Sequence, residues 1–198
     1  MNAWWLLVTG AGLIVVGASV ALARRPTISP VESRVFHAVN GLPDPLYHVL
    51  WVPMQLGNLV VGTLAGLAVA VVDGDLAVAI GVVLAMLLKL VTERIVRREM
   101  ADYLAVRQRP GVSQVGAILR GDVPSAGPSF PSGHVILVAA VASVIAPAIP
   151  AEWRWLPIVL TILVMVGRVY VGAHNPLDVT AGLGAGLVLG GILAAFVE

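Results

Sequence analysis

The chain has 198 residues, of which 59% are hydrophobic and 12% charged, and its mean hydropathy is +0.95. A soluble domain carries about 45–50% apolar and about 25% charged residues, so a water-soluble fold, intrinsic disorder and fibrous classes are excluded. A net charge of +1 argues against nucleic acid as a partner, and the absence of cysteine removes disulfides, thiolate nucleophiles and zinc–cysteine or iron–sulfur sites. What remains is an all-α integral membrane protein, a single domain over residues 1–198.

A membrane-crossing helix needs roughly 20 mostly apolar residues. Six runs qualify in chain order, which predicts a six-helix transmembrane bundle. The first covers residues 3–23 and ends at Arg24 and Arg25. No Lys or Arg precedes its Ala21-Leu22-Ala23, so it reads as a retained span rather than a signal peptide. Next, Ser29-Pro30-Val31-Glu32 has capping-box spacing with Pro at the first helical position. Val31, Val35, Val39 and Leu42 follow at helical spacing, which predicts a short amphipathic helix in the membrane interface that stops near Gly41. His37 and His48 fall nearby and join no recognisable site.

The second run covers residues 50–72 and stops at Asp73-Gly74-Asp75. The third covers residues 76–91, with a helical pattern that continues through 93–98. A polar stretch over residues 99–132 precedes the fourth run, 134–149; the fifth covers 155–171 and the sixth 176–197. Trp4, Trp5, Trp51, Trp153 and Trp155 stand near run ends, where an aromatic belt places them. Gly182, Gly186 and Gly190 recur every fourth position of the last run, a spacing that lets helix backbones approach closely in lipid.

Polar residues at the ends of apolar spans mark functional sites, because burying them unpaired is expensive. Asn175-Pro176 reads as an N-cap with Pro at the first helical position, so His174 stands just outside the sixth span and Asp178 lies in its first turn. A carboxylate there can orient an imidazole by accepting a hydrogen bond from one ring N–H; it can also merely complement the helix dipole. Ser132 is a candidate N-cap for the fourth span, which leaves the N–H groups of Gly133 and His134 pointing out of a helix start, a ready anion site. Arg168 lies nearby in sequence and suits bidentate contact with oxyanions. Seven of the twelve basic residues fall between Lys89 and Arg120, a clustering that points to an anionic ligand or to a solvated loop. Only about thirteen apolar residues precede Lys89, which reach ~20 Å, so it lies at the hydrocarbon edge, snorkels, or faces a polar cavity.

Pro131-Ser132-Gly133-His134, followed by Arg168-x5-His174-x3-Asp178, resembles the second and third signature motifs of the type 2 phosphatidic acid phosphatase superfamily. The resemblance covers residues 85–190 or thereabouts, and it implies a membrane lipid phosphatase that needs no metal or other cofactor. By that resemblance His174 is the nucleophile, Asp178 its orienting acid and His134 the general acid, while Ser132, Gly133 and Arg168 bind phosphate oxygens. Two departures stand out. The third motif opens with Gly167-Arg168 where the family usually has Ser-Arg. The first motif, usually Lys, six residues and then Arg-Pro, has Val96 at the expected Arg position. Arg109-Pro110 is the only Arg-Pro, so Lys89 pairs with Arg109 across an insertion, with Arg97 and Arg98 as open alternatives.

The implied substrate is a terminal phosphate on a lipid or polyprenyl chain, with membrane lipids as the surroundings and an oligomeric state the sequence does not fix. Two rival readings are a lipid phosphotransferase and a non-hydrolytic protein that binds or moves anionic lipids. Six spans place eleven basic residues on the side of the motifs and only Arg154 on the other. The positive-inside rule then predicts a plasma-membrane protein whose site faces the cytoplasm.

Overall fold

A computed structural model describes residues 4–25, 27–99 and 107–197. Residues 100–106, part of the polar stretch over 99–132, lie outside the described residues. Among the described residues the chain is all helix, with one isolated bridge between Gln108 and Pro128. The helices are α1 (Trp4–Ala23), α2 (Pro30–Asn40), α3 (Leu46–Met54), α4 (Leu59–Asp73), α5 (Leu76–Glu99), α6 (Pro110–Ser113), α7 (Gly133–Ile145), α8 (Trp155–Tyr170) and α9 (Pro176–Ala194).

Four helical segments are long and apolar enough to cross a membrane: α1, α5, α8 with the turn before it, and α9. A fifth is reached if α3 and α4 count as one broken span. The expected run over residues 50–72 is therefore not one helix. It bends by 73° between Leu46–Gly57 and Leu59–Asp73: α3 ends at Met54 just after Pro53, a 3-10 turn covers Gln55–Gly57, and Asn58 starts α4 by accepting from the N–H groups of Val60 (3.0 Å) and Val61 (3.3 Å). The fourth run also falls short of a span, because α7 has only 13 residues. Its length is ~20 Å, and it compensates by being enclosed on nearly every face.

That central α7 packs against α4, α5, α8 and α9, while α1 lies on the outer side of α9. The core around it includes Val82, Ala85, Leu137, Val141 and Val144 on one side and Phe36, Val135, Val138, Val164 and Val179 on the other. Glycines set the spacing. A Cβ on Gly186 would stand 2.6 Å from Ala139 Cβ and from the Ile136 carbonyl, and one on Gly190 would stand 2.6 Å from the Ala140 carbonyl. A second, offset face serves α1: a Cβ on Gly184 would lie 2.5 Å from the Val16 nitrogen, and one on Gly12 2.7 Å from the Val188 nitrogen. The recurring stripe thus meets α7, and a set of glycines outside it meets α1.

Helix α2 starts as its sequence implies, with Ser29 Oγ accepting from the Glu32 N–H at 3.1 Å. Of the valine stripe expected to lie in the interface, Val39 packs against the core and the rest points away from the protein. Val31 and Val35 are exposed, whereas Phe36 and Asn40 are buried. Asn40 Nδ2 donates to the carbonyls of Ile118 and Tyr170, and its Oδ1 accepts from the Ile118 N–H, so α2 is tied across the chain to the end of α8. His37 and His48 are exposed.

Candidate active site

The start of α9 and the start of α7 meet at one end of the bundle. The Ser132 N–H donates to the Asp178 carbonyl at 3.0 Å, and a Cβ on Gly182 would lie 2.6 Å from the Ser132 carbonyl. Loop 107–132 lines the same end through three short hydrogen bonds: the Arg109 N–H to the Gly127 carbonyl, the Ser129 N–H to the Arg107 carbonyl, and the Arg120 N–H to the Val171 carbonyl.

His174 is 5% exposed, in the turn between α8 and α9. Its imidazole is pushed well below its ordinary pKa of 6.5, first by burial and then by Arg168, Arg109 and His134 around it. It is a neutral base at pH 7. Its Nδ1 lies 3.9 Å from Asp178 Oδ2, outside hydrogen-bond range. Asp178 is fully buried, and its oxygens have closer partners: Oδ1 accepts from Arg107 Nε at 3.0 Å, and Oδ2 from the Asn175 N–H at 2.8 Å.

Among the described residues, four buried side-chain nitrogen or oxygen atoms have no hydrogen-bond partner, and three belong to this end of the bundle: Ser132 Oγ, Arg168 Nε and His174 Nδ1. An orphaned buried polar atom costs on the order of 1–3 kcal/mol, so three together mark a site rather than a packing accident. Arg109 reaches the same place, its Nη1 donating to the Ala173 carbonyl at 3.0 Å. Its guanidinium pKa is lowered by burial and then by Arg97.

Lys89 and Gly133 join the cluster through a residue the sequence did not single out. Glu93 pairs with Lys89 at 3.0 Å, and a Cβ on Gly133 would collide with its carboxylate. Arg97 is a mostly exposed rim residue 3.8 Å from Glu93, and Arg98 is exposed one position further on. His134 packs against the break between α3 and α4, where a Cβ on Gly57 would stand 2.7 Å from His134 Cβ. The structure therefore brings His174, Asp178, His134, Arg168, Arg109, Ser132, Gly133 and Lys89 to one end, with Arg97 at its edge and Arg98 outside.

Three supporting residues had no local signature. Glu32 accepts from Arg107 Nη2 and from the Leu177 N–H (3.0 Å). Arg107 itself is buried between Glu32 and Asp178. Gln114 donates to Asn175 Oδ1 and accepts from Ser33 Oγ, both at 2.8 Å. A separate apolar cavity of about 730 Å³ opens between α1, α7, α8 and α9, lined by Val8, Ala142, Arg154, Ile158 and Leu187 among others. None of the clustered residues lines it.

Known proteins share part of this sequence and its fold. Over 55 residues the chain is 47% identical to an undecaprenyl-diphosphatase of Sulfolobus acidocaldarius, a match covering 27% of this chain and 26% of that protein. Two solved structures share the fold. The LpxE of Aquifex aeolicus superposes with a TM-score of 0.69 at 20% identity, over 82% of this chain and 94% of that one. A transmembrane PAP2-type phosphatidylglycerolphosphate phosphatase from Bacillus subtilis gives 0.69 at 19% identity, over 95% and 94%. The family model described as the PAP2 superfamily matches residues 76–198, a stretch that holds both motifs and every clustered side chain except those of α2, and by that match the chain belongs to the PAP2 superfamily.

Proposed function

We propose that this protein is a lipid phosphate phosphatase that removes a terminal phosphate from a lipid or polyprenyl (pyro)phosphate. The observation that carries the reading is the convergence of unpaired Ser132 Oγ, Arg168 Nε and His174 Nδ1 beside Arg109. Arg168, Arg109 and the Ser132 hydroxyl, brought together in a largely buried site, suit a phosphoryl group whose charge is spread over its oxygens, and His174 beside them is free to act on it.

In this reading Asp178 lies on the Nδ1 side of His174, which leaves Nε2 to attack phosphorus. The P–O bond to the leaving group breaks as His134 gives that oxygen a proton. Water then attacks the phosphohistidine, His134 takes up its proton, and the P–N bond breaks to release phosphate. Ser132, Gly133, Arg168, Arg109 and Lys89 bind the phosphate oxygens, and no metal takes part. The six-span reading takes α1, α5, α8 and α9 together with the broken α3–α4 pair and the short, enclosed α7, and it puts the site at the cytoplasmic face of the plasma membrane.

The test uses purified protein with phosphatidic acid, phosphatidylglycerophosphate and polyprenyl pyrophosphate, in the presence of a chelator. Phosphate release from at least one substrate is expected to survive chelation and to fall by about 10³-fold or more in His174→Ala. Release by His174→Ala at the wild-type rate would overturn the mechanism. No release from any substrate would favour a protein that only binds anionic lipid.

A further inference from the structure

The carboxylate beside His174 is not available as a lone charge. Asp178 is closed in by Arg107 Nε and by the Asn175 N–H, and a carboxylate held by a guanidinium forms a pair of no net charge. Among the described residues, the other groups whose charge acts on His174 are cationic or can become so, Arg168 from α8, Arg109 from the loop ahead of α6 and His134 from α7, while the Glu93 carboxylate against Gly133 is paired with Lys89. An Asp178–Arg107 pair alone would leave the Nδ1 side of the imidazole facing no net negative charge. Positive charge must appear on the ring, because an imidazole bonded to phosphorus through one nitrogen and to a proton through the other is an imidazolium, while the negative charge of its phosphoryl oxygens lies on the far side, toward Arg168 and Arg109.

The far end of Arg107 supplies the missing charge. Its Nη2 donates to Glu32 Oε1, so one guanidinium is shared by two carboxylates, and the trio Glu32–Arg107–Asp178 holds one surplus negative charge. All three side chains are enclosed, which keeps their interaction poorly screened. Glu32 is also anchored by the Leu177 N–H, in the same first turn of α9 that carries Asp178. Moreover, Glu32 belongs to α2, outside the 76–198 stretch that matches the family.

We propose that Glu32 is a positioning residue of the active site: acting through Arg107, it fixes Asp178 and supplies the net negative charge that stabilises the imidazolium ring of phosphorylated His174 from its Nδ1 side. This rests on the phosphatase reading above.

Charge arithmetic separates this role from a merely structural one. Glu32→Gln makes the trio neutral. Glu32→Gln with Arg107→Gln leaves Asp178 alone and restores the single negative charge, although two tethers between α2 and α9 are then gone. Glu32→Gln is expected to lower kcat by about tenfold or more with KM changed less than about threefold, as for loss of a group that acts only through another. The double variant is expected to recover a large part of that loss, and Glu32→Asp to stay near wild type. A double variant no better than Glu32→Gln would overturn the proposal, since a purely structural tether predicts that result.

A second readout does not depend on turnover. In protein labelled with ¹⁵N-histidine at pH 7.5, the His174 signal, assigned by its loss in His174→Gln, reports which ring nitrogen carries the proton. Wild type and the double variant are expected to hold it on Nδ1, facing the surplus charge, and Glu32→Gln to shift it toward Nε2. An unchanged His174 signal in Glu32→Gln, with wild type active, overturns the role of Glu32 and leaves the phosphatase reading standing. A signal that follows the charges in a wild type that releases no phosphate overturns the phosphatase reading and leaves the electrostatic link standing.

Discussion

Arg120 donates from Nε to Asp44 and from Nη1 to the carbonyls of Asn40 and Tyr170, at 3.0, 2.8 and 2.8 Å, and its Nη2 reaches the Leu42 carbonyl at 3.1 Å. Its guanidinium also lies 4.2 Å above the Tyr170 ring. A side chain counted by sequence among a phosphate-attracting cluster is instead a staple between the α2–α3 turn and the end of α8. Lysine keeps the charge but cannot make this fork of bonds. Arg120→Lys is expected to cost about 1–3 kcal/mol of stability, read by denaturant unfolding in micelles, with little change in KM. His174 gives a second residue-scale expectation. Its native pKa lies well below 6.5, so above that pH neither folded nor unfolded chain binds the proton. As pH falls below 6.5 the unfolded chain takes it up first, and stability drops by as much as about 1.4 kcal/mol per pH unit until the native pKa is reached. His174→Gln should flatten that slope in unfolding measured between pH 7.5 and pH 5.

Helix α9 works as a two-sided spacer. Gly186 and Gly190 admit α7 to backbone contact, and Gly184 and Gly191 admit α1. With backbone rather than flexible side chain on the other side, an added methyl group must push the helices apart. Gly186→Ala is therefore expected to destabilise the protein by about 1–3 kcal/mol. Gly10→Ala, in α1, where the new methyl meets nothing within 4 Å, is expected to be neutral or stabilising by up to about 1 kcal/mol. Equal losses in the two variants would show that helix propensity rather than close packing governs these glycines. The break between α3 and α4 has a different job: it lays Gly57 against His134 and so fixes the ring at the start of α7.

For the whole molecule, the burial of individual arginines changes what the charge distribution means. Arg107 and Arg120 are buried in ion pairs and so cannot speak for membrane orientation. Leaving them out with Lys89, Arg97, Arg98, Arg109 and Arg168, the side of the site keeps Arg24, Arg25, Arg34 and Arg94 against Arg154 on the other. The bias is smaller than the raw count and keeps its sign, which supports a cytoplasmic site. Val115, 97% exposed in the loop beside the site, offers the test in a chain without cysteine. Val115→Cys is expected to react with a membrane-impermeant thiol reagent only after cells are permeabilised, and labelling of intact cells would place the site outside.

The sequence by itself determined the features that a short stretch of chain must settle locally. Apolar runs have to be buried in lipid or protein, and helix starts have to satisfy their own N–H groups. That is why the spans of α1, α5, α8 and α9, the Ser29 cap of α2 and the placement of His174 just ahead of α9 were legible. The break over Gln55–Gly57 had local signals in Pro53 and Gly57-Asn58, but an unbroken apolar composition hid them. Only the tertiary structure decided which charges meet. Glu32, Arg107 and Asp178 lie 75 and 71 residues apart along the chain, and nothing near any one of them in sequence reveals the others. It likewise separated the arginines that turn toward His174, such as Arg109, from those that hold the fold, such as Arg120. A buried charge is tolerated only where a partner closes around it, and that partner comes from whichever segment the packing brings alongside.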